Sequence, residues 1–193
     1  MPTYRAMREI PPLVQHALDL ADRMQFQHSC TIEVGRLLRL LASQVRRGTI
    51  GEIGTGCGVG AAWIASGKAP DVSFVTVESD VARAQAAASL LAVVPSIRIL
   101  QGDWHLLLEY GPFAMLFADG AKAKEREPEV LLQSLKLGGT IVLDDLTPEN
   151  RWPPEWRGRV DPVREFWLND SRVIATEILV TPGSAVILAT RVG

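Results

Sequence analysis

The sequence predicts an α/β fold with a mostly parallel seven-stranded sheet, helices on both faces and a C-terminal antiparallel hairpin. Three observations predict it. The stretch Gly48–Gly60 joins a short apolar run to closely spaced glycines and leads into a further apolar run, which is the pattern of a strand, a tight turn and a helix start. Apolar β-branched runs then alternate with helical segments, which indicates parallel strands joined by crossovers. Two β-rich runs end the chain.

Length and composition bound the class of protein. One domain is expected over residues 1–193, because this length suffices to bury a full core. The chain is 47% hydrophobic and 22% charged, and no apolar run approaches the ~20 residues that span a bilayer. Cys30 and Cys57 have neither a disulfide nor a metal-site spacing, which favours the cytoplasm. The net charge of −2 gives no support to a large nucleic-acid-binding face.

Two amphipathic helices are predicted ahead of the glycine-rich stretch, at about residues 13–27 and 33–46. In the first helix, Leu13, Ala17 and Ala21 recur at helical spacing and form one apolar face. Because both helices precede the first strand, we expect them to pack on or beside the sheet.

Strands and helices then alternate to the end of the chain. The predicted strands lie at residues 50–53, 73–77, 97–100, 113–117, 140–143, 173–180 and 185–190. The predicted helices between them lie at about residues 80–93, 104–110 and 124–135. The last two strands are joined by Thr181-Pro182-Gly183-Ser184, which is typical of an antiparallel hairpin at a sheet edge.

Acidic side chains gather where the predicted strands end. In open α/β sheets, ligands bind in the crevice outside the carboxyl ends of the strands. Six acids at this edge are more than solubility requires, so we expect a ligand site there. They are Glu52, Glu78, Asp103, Asp119, Asp144 and Asp145.

Two ligand classes compete for the glycine-rich turn. A dinucleotide fingerprint is loosely satisfied by Gly56, Gly58 and Ala61, with Glu78 at a suitable distance for a ribose. Glu52 favours the other class, because a carboxylate at the strand tip repels a pyrophosphate and attracts a cationic amino-acid moiety. A nicotinamide-dependent oxidoreductase therefore remains an alternative from a different class.

Particular stretches resemble known methyltransferases. Glu52–Gly58 resembles the first motif of the class I S-adenosylmethionine-dependent methyltransferases, which have a Rossmann-like fold. Over about residues 31–191, the chain is similar to the small metal-dependent O-methyltransferases, a family that includes the catechol and caffeoyl-CoA enzymes and their bacterial relatives. The stretches that carry this narrower resemblance are Thr31–Leu38, Phe117–Lys122, Gly138–Asp145 and Trp156–Pro162.

The resemblance implies S-adenosylmethionine as the cofactor. Glu52 and Gly54 match positions near its methionine part, and Glu78 matches the residue that accepts the ribose hydroxyls. Asp103 and the main chain at Trp104 match positions near the adenine. The full set of cofactor-binding residues that it implies is Glu52, Gly54, Gly56, Gly60, Glu78, Ser79, Asp103, Trp104 and Asp119.

The resemblance also implies a metal site and a general base. Asp119, Asp144 and Asp145 match the ligands of Mg²⁺ or another divalent cation, and Lys122, acting with Asp119, matches the catalytic base. Position 145 is Asp where the family usually has Asn, which adds one negative charge. Since successive strand residues face opposite ways, Asp144 and Asp145 converge only if the backbone turns there, and Thr147-Pro148 makes such a turn plausible.

The predicted function is methyl transfer to a hydroxyl of a small catechol- or phenol-like acceptor. Trp152 and Trp156 are candidates for its pocket. A hydroxylated RNA base is an alternative acceptor, because the stretch Arg151–Arg172 mixes arginines with aromatic residues. A further alternative is a domain that binds the cofactor but does not catalyse a reaction. The resemblance also implies a homodimer, for which the two N-terminal helices are candidates for the interface. The implied layout is N-terminal helices in 1–47, a cofactor-binding core in 48–145 and a substrate-side segment with the hairpin in 146–193.

Overall fold

A computed structural model of the protein describes residues 9–193, apart from the side chains of residues 121 and 122. The α-helices are α1 Pro12–Arg23, α2 Ile32–Gln44, α3 Val59–Ala65, α4 Val81–Leu91, α5 Ala121–Arg126, α6 Pro128–Gln133 and α7 Pro162–Asn169. The strands are β1 Thr49–Ile53, β2 Ser73–Glu78, β3 Ile97–Gln101, β4 Phe113–Ala118, β5 Leu135–Leu146, β6 Val173–Thr181 and β7 Ser184–Arg191. Short 3₁₀ helices lie at Trp104–Tyr110, Glu149–Arg151 and Pro154–Trp156.

The seven strands form one mixed sheet in the order β3-β2-β1-β4-β5-β7-β6. Strands β1 to β5 pair in parallel, whereas β7 runs antiparallel to β5, and β6 runs antiparallel to β7. The predicted α/β sheet with a C-terminal antiparallel hairpin is therefore confirmed.

The strand register brings four strand ends into one row. Ile53 of β1 pairs with Val77 of β2 and with Ala118 of β4, and Ala118 pairs with Leu143 of β5. Because these partners lie side by side, the residues that follow them meet at one edge of the sheet. Those residues are Gly54, Glu78, Asp119 and Asp144.

Apolar side chains cover both faces of the sheet. One core lies under α1 to α4, and the other lies under α5 to α7 and the first 3₁₀ helix. In the first core α2 approaches α3 closely at Gly35. Only glycine fits there, because a Cβ would lie 2.1 Å from the indole nitrogen of the buried Trp63. The two N-terminal helices thus pack on the face of the sheet that carries the first core, beside α3, as the sequence predicted.

Several predicted boundaries were wrong. Helix α1 ends at Arg23 rather than near residue 27, and Gln25 beyond it has a left-handed φ of 53°. The single helix predicted at 124–135 is two helices, α5 and α6. Pro128 begins the second one, because proline fits the first turn of a helix but breaks its interior. Strand β5 also begins at Leu135, earlier than predicted.

Within residues 9–193, no helix combines the length and the apolar character that crossing a membrane requires.

Candidate active site

The turn after β1 has the backbone that only glycine adopts readily. The φ angles of Gly54, Gly56 and Gly58 are 94°, 55° and 89°, all in the left-handed region that disfavours a Cβ. Gly60 is required for a different reason. A Cβ there would lie 2.4 Å from Oε1 of Glu52 and 3.0 Å from the ring of Phe117.

Glu52 lies buried beneath this turn. Its Oε2 accepts a hydrogen bond of 2.5 Å from Thr76 Oγ1, which lies 2.6 Å from the hydroxyl oxygen of Thr55. Its Oε1 has no hydrogen-bond partner among the described residues. Burial, with smaller contributions from the charges of Asp119 and Glu78, raises the pKa of Glu52 to about 8. The carboxyl group therefore lies buried under the turn and is not among the residues that line the cavity beside the turn.

Glu78 closes the turn from the end of β2. Its Oε2 accepts the N–H of Gly56 at 2.8 Å, and its Oε1 accepts the N–H of Asp80 at 2.9 Å. The guanidinium of Arg83 lies 3.0 Å from the same Oε1 and 5.1 Å from the ring centroid of Phe26. Glu78 thus already holds both the glycine turn and the start of α4, and a ribose would share its oxygens with these donors.

A cavity of about 240 Å³ opens beside the glycine turn. Five of the predicted cofactor residues line it. They are Gly54, Gly56, Gly60, Glu78 and Asp119. The segment between α1 and α2 also lines it, which the sequence analysis did not predict. Its lining residues are Phe26, His28, Ser29 and Cys30. Their position in the sequence could have indicated this, because they directly precede the predicted motif that begins at Thr31.

Three predicted cofactor residues lie away from this cavity. The Ser79 hydroxyl lies 3.5 Å from Oε1 of Glu78, and its carbonyl oxygen accepts a hydrogen bond of 3.4 Å from the side-chain amide of Gln101. Asp103 caps the 3₁₀ helix by accepting the N–H of His105 at 3.0 Å. The ring of Trp104 packs against the His105 ring with centroids 4.1 Å apart. Their predicted contacts with the cofactor stay predictions.

Three carboxylates meet at the ends of β4 and β5. One ligand oxygen each from Asp119, Asp144 and Asp145 lies within 4.8 Å of the others. The backbone turn that this requires is present, because Asp145 has a φ of 61° and the β5–β7 register shifts between Leu143 and Leu146. Hard oxygen ligands in such a group suit Mg²⁺ or another hard divalent cation.

The carboxylates disfavour one another's charge. Burial and then the charges of Asp145 and Asp144 raise the pKa of Asp119 to about 8. Burial raises the pKa of Asp144 to about 6. A donor set whose negative charge is this poorly compensated fits a bound cation, which would restore the ionised forms.

Two lysines lie on α5 near these acids. The predicted base, Lys122, has its side chain outside the described part of the structure. Lys124 is buried, donates a hydrogen bond from Nζ to the carbonyl oxygen of Asp144, and lowers the pKa of Asp119 and Asp144 by its charge. The sequence analysis missed Lys124, because the motif directed attention to the lysine three residues after Asp119.

A second and larger cavity, of about 540 Å³, lies on the far side of the acids. Trp152 and Trp156 line it, as predicted for the acceptor pocket. Asp145 lines both this cavity and the one beside the glycine turn. The acid group therefore lies where the two cavities meet, which is where a group passing from one ligand to another would need to be.

No protein-family model matches the sequence, and no curated protein matches it. Solved structures do match. The chain is 25% identical to TomG, an O-methyltransferase from Streptomyces achromogenes solved in complex with S-adenosylmethionine, with a TM-score of 0.79 over 96% of this chain and 92% of that one. A candidate O-methyltransferase from Klebsiella pneumoniae is 24% identical, with a TM-score of 0.80 over 98% of this chain and 94% of that one.

An O-methyltransferase from Bacillus cereus, in complex with S-adenosylhomocysteine, is 22% identical, with a TM-score of 0.77 over 96% of this chain and 92% of that one. These likenesses extend over nearly the whole length of each chain, so they concern the complete fold. The chain therefore has the Rossmann-like fold of the class I S-adenosylmethionine-dependent methyltransferases, and its backbone closely resembles those of the O-methyltransferases.

Proposed function

We propose that the protein is an S-adenosylmethionine-dependent O-methyltransferase that uses a divalent cation and methylates a hydroxyl of a small catechol- or phenol-like acceptor. In this reaction the methyl group passes from the sulfonium to the acceptor oxygen, which yields a methyl ether, S-adenosylhomocysteine and a proton. The observation that carries the proposal is the position of Asp145, which lines both the cavity beside the glycine turn and the Trp-walled cavity.

Binding of the cofactor is supported by the left-handed glycines, by Glu78 at the end of β2 and by the likeness to TomG, which was solved with S-adenosylmethionine. The cofactor's positive charge suits the acids at this edge. Glu52, buried beneath the turn with a pKa of about 8, would be ionised by the nearby positive charge of the cofactor and would then attract it without direct contact. The nicotinamide alternative is not favoured, because the matching structures named above are methyltransferases.

Asp119, Asp144 and Asp145 would hold the divalent cation. A cation bound by these oxygens would bind the acceptor hydroxyl and favour its ionised form. The protein's own contribution is to fix the three carboxylates on strand ends and to place them between the two cavities, so that positioning supplies much of the rate.

A lysine would accept the hydroxyl proton. Lys122 remains our proposed base on the strength of the motif, and Lys124 is a second amine close to the same acids. A lysine beside a cation in a closed site can have its pKa lowered toward neutrality, as a general base requires.

The size of the second cavity supports a small acceptor over RNA. Its volume of about 540 Å³ lies within the usual range for small-molecule sites. The homodimer predicted from the resemblance remains a prediction that sedimentation of the purified protein would test.

Calorimetric titration of S-adenosylhomocysteine, followed by Mg²⁺ into the resulting complex, tests the proposal. We expect binding by the wild type and a loss of about tenfold or more in Glu78→Ala, because a charge-assisted hydrogen bond is removed. Glu155→Ala, which removes an exposed glutamate far from the turn, is the matched control. A wild-type protein that binds no cofactor would refute the proposal, and cofactor binding without a Mg²⁺ response would refute its metal-assisted form.

A further inference from the structure

We propose that the acceptor is an anionic hydroxylated aromatic molecule, whose carboxylate or phosphate is bound by Arg126 and Arg159 in the Trp-walled cavity. This inference rests on the proposed function, because it names the acceptor class of the same site. It comes from the distribution of charge around the cavity.

Two arginines of the Arg151–Arg172 stretch are ion-paired with acids. Arg164 is bound by Asp161 at 2.6 Å and by Glu177 at 2.7 Å. Arg172 is bound in the same way by Asp170 and by Glu129 of α6. Arg159 has no such partner.

Arg126 and Arg159 are the cations of the cavity wall whose charge is available to a ligand. Among the described residues, neither guanidinium has a hydrogen-bond or ion-pair partner, although both line the cavity. The other cations there are engaged, since Arg164 is ion-paired and Lys124 donates to the Asp144 carbonyl.

The acids of the same wall do not cancel this charge. Asp161 is already paired with Arg164, and Asp145 belongs to the carboxylate group at the junction of the cavities. Glu125 remains, an exposed carboxylate without a partner in the described structure, against two free arginines. Away from the metal site, the cavity is therefore net positive, and arginine forks suit carboxylate and phosphate oxygens.

Two tryptophans of the same cavity favour an aromatic ring. Trp152 is fixed by a hydrogen bond of 2.9 Å from its indole N–H to the carbonyl of Thr147 and by the Arg164 guanidinium, 5.4 Å from its ring centroid. Trp156 packs edge-on against it, with centroids 6.5 Å apart at 77°. A rigid aromatic pair of this kind gives a flat ligand a surface on which to pack.

Shape then limits the ligand to a compact molecule. The cavity has Asp145 in its wall together with both arginines and both tryptophans. One aromatic ring with vicinal hydroxyls toward the carboxylates and one anionic substituent toward the arginines meets each of these groups. A nucleic acid chain would also offer anionic groups, and it is a distinct outcome of the test below.

A matched pair of acceptors tests the inference. 3,4-Dihydroxybenzoate and 3,4-dihydroxybenzamide share the ring and the hydroxyls and differ in charge, and 3,4-dihydroxyphenylphosphonate separates a phosphate-like anion from a carboxylate. We expect the KM of the preferred anion to be about tenfold or more below that of the amide, as expected for a hydrogen bond between charged groups. The double variant Arg126→Gln/Arg159→Gln should lose this preference.

The controls separate this inference from the proposed function. Arg157→Gln, an exposed arginine of the same segment outside the cavity wall, should keep the preference. The same acceptors titrated into the complex with S-adenosylhomocysteine and Mg²⁺ measure recognition without turnover, so an inactive protein still decides the question. Equal affinity for acid and amide, a preference that survives in the double variant, or methylation of bulk RNA in place of these acceptors would overturn the inference.

Discussion

The cavity beside the glycine turn is lined by residues at strand ends, in tight turns and in the segment between α1 and α2. The cavity beyond Asp145 is lined by the irregular chain between β5 and α7, together with residues of α5 and the first turn of α7. On the cofactor side, backbone groups are held by local contacts, such as the N–H of Gly56 on Glu78. On the proposed acceptor side, the side chain of Arg164 connects several separate segments of the chain. Arg164 binds Glu177 of β6, Asp161 and the carbonyl of Thr147.

This difference implies that the two sides can change independently. The cofactor side depends on the sheet, which the whole fold maintains, and the acceptor side depends on a few long-range side-chain contacts. A substitution on one side should therefore alter binding there and leave the other ligand's affinity unchanged. Asp145, which lines both cavities, is the position where this independence should fail.

The largest expected effect comes from Lys122, the proposed general base. Lys122→Gln should lower kcat by about 100-fold or more, the usual contribution of a general base, with the affinity for S-adenosylhomocysteine unchanged. The matched variant Lys124→Gln removes a buried cation near Asp119 and Asp144. It should strengthen divalent-cation binding, because a repulsive charge is lost. Steady-state kinetics measures kcat, and calorimetry measures the affinities of both variants. A larger loss of kcat in Lys124→Gln than in Lys122→Gln would identify Lys124 as the general base instead of Lys122.

The carboxylates should give the next largest effect. Asp144→Ala removes an oxygen ligand and should reduce Mg²⁺ affinity and turnover by about 100-fold, at the upper end of losses seen when a metal site is disturbed. Asp145→Asn keeps an oxygen ligand and relieves the charge that raises the pKa of Asp119, so it should stay within about tenfold of wild type. Calorimetry with Mg²⁺ measures both variants, and equal losses would argue against a cation at this place.

Two ion-paired arginines test the acceptor side alone. Arg164→Gln leaves Glu177 and Asp161 unpaired in a partly buried place, since the Arg164 side chain is only 8% exposed, and should cost about 3 kcal/mol of unfolding free energy. It should also raise the acceptor KM. Arg172→Gln, whose side chain is 40% exposed, should cost about 1 kcal/mol or less. Urea unfolding compares them, and similar costs would show that Arg164 does not hold this side together.

The same difference explains what the sequence could predict. The sheet, the glycine turn and the acids at the strand ends follow from spacing rules that act over a few residues, so Glu78, Asp119 and Asp144 could be identified before the structure was known. Even the turn at Asp145 could be expected, because two neighbouring acids converge only if the strand bends.

The contacts that the sequence could not predict are long-range ones. Nothing in the order of residues indicates that Arg164 pairs with Glu177, because this pair depends on how α7 meets β6. That Arg159 has no ion-pair partner among residues 9–193 is likewise visible only in the folded chain. Phe26 was missed for a similar reason. It lies over Gly56 only because the chain turns sharply after α1, where Gln25 is left-handed.

The last expected effect concerns Glu52 beneath the glycine turn, whose contribution to stability depends on pH. Its pKa in the folded protein is about 8, against an ordinary value of 4.5. Between these two pH values, the folded state therefore holds a proton that the unfolded state has lost. The contribution of the protonated Glu52 to stability is complete below pH ~4.5 and is lost as the pH rises through about 8. In the cofactor-free protein, Glu52→Gln, which mimics the protonated form, should match wild type near pH 4.5 and exceed its unfolding free energy by up to about 5 kcal/mol at pH 8.5.

Thermal or urea unfolding across this pH range measures the gain, with Glu155→Gln as an exposed control. A variant whose stability follows the wild-type pH curve in parallel would mean that Glu52 ionises normally beneath the glycine turn. Its charge would then be compensated within the protein, and the attraction for a cationic cofactor that we ascribe to it would be lost. The acceptor preference set by Arg126 and Arg159 should be the same in Glu52→Gln as in wild type, because those arginines line the other cavity.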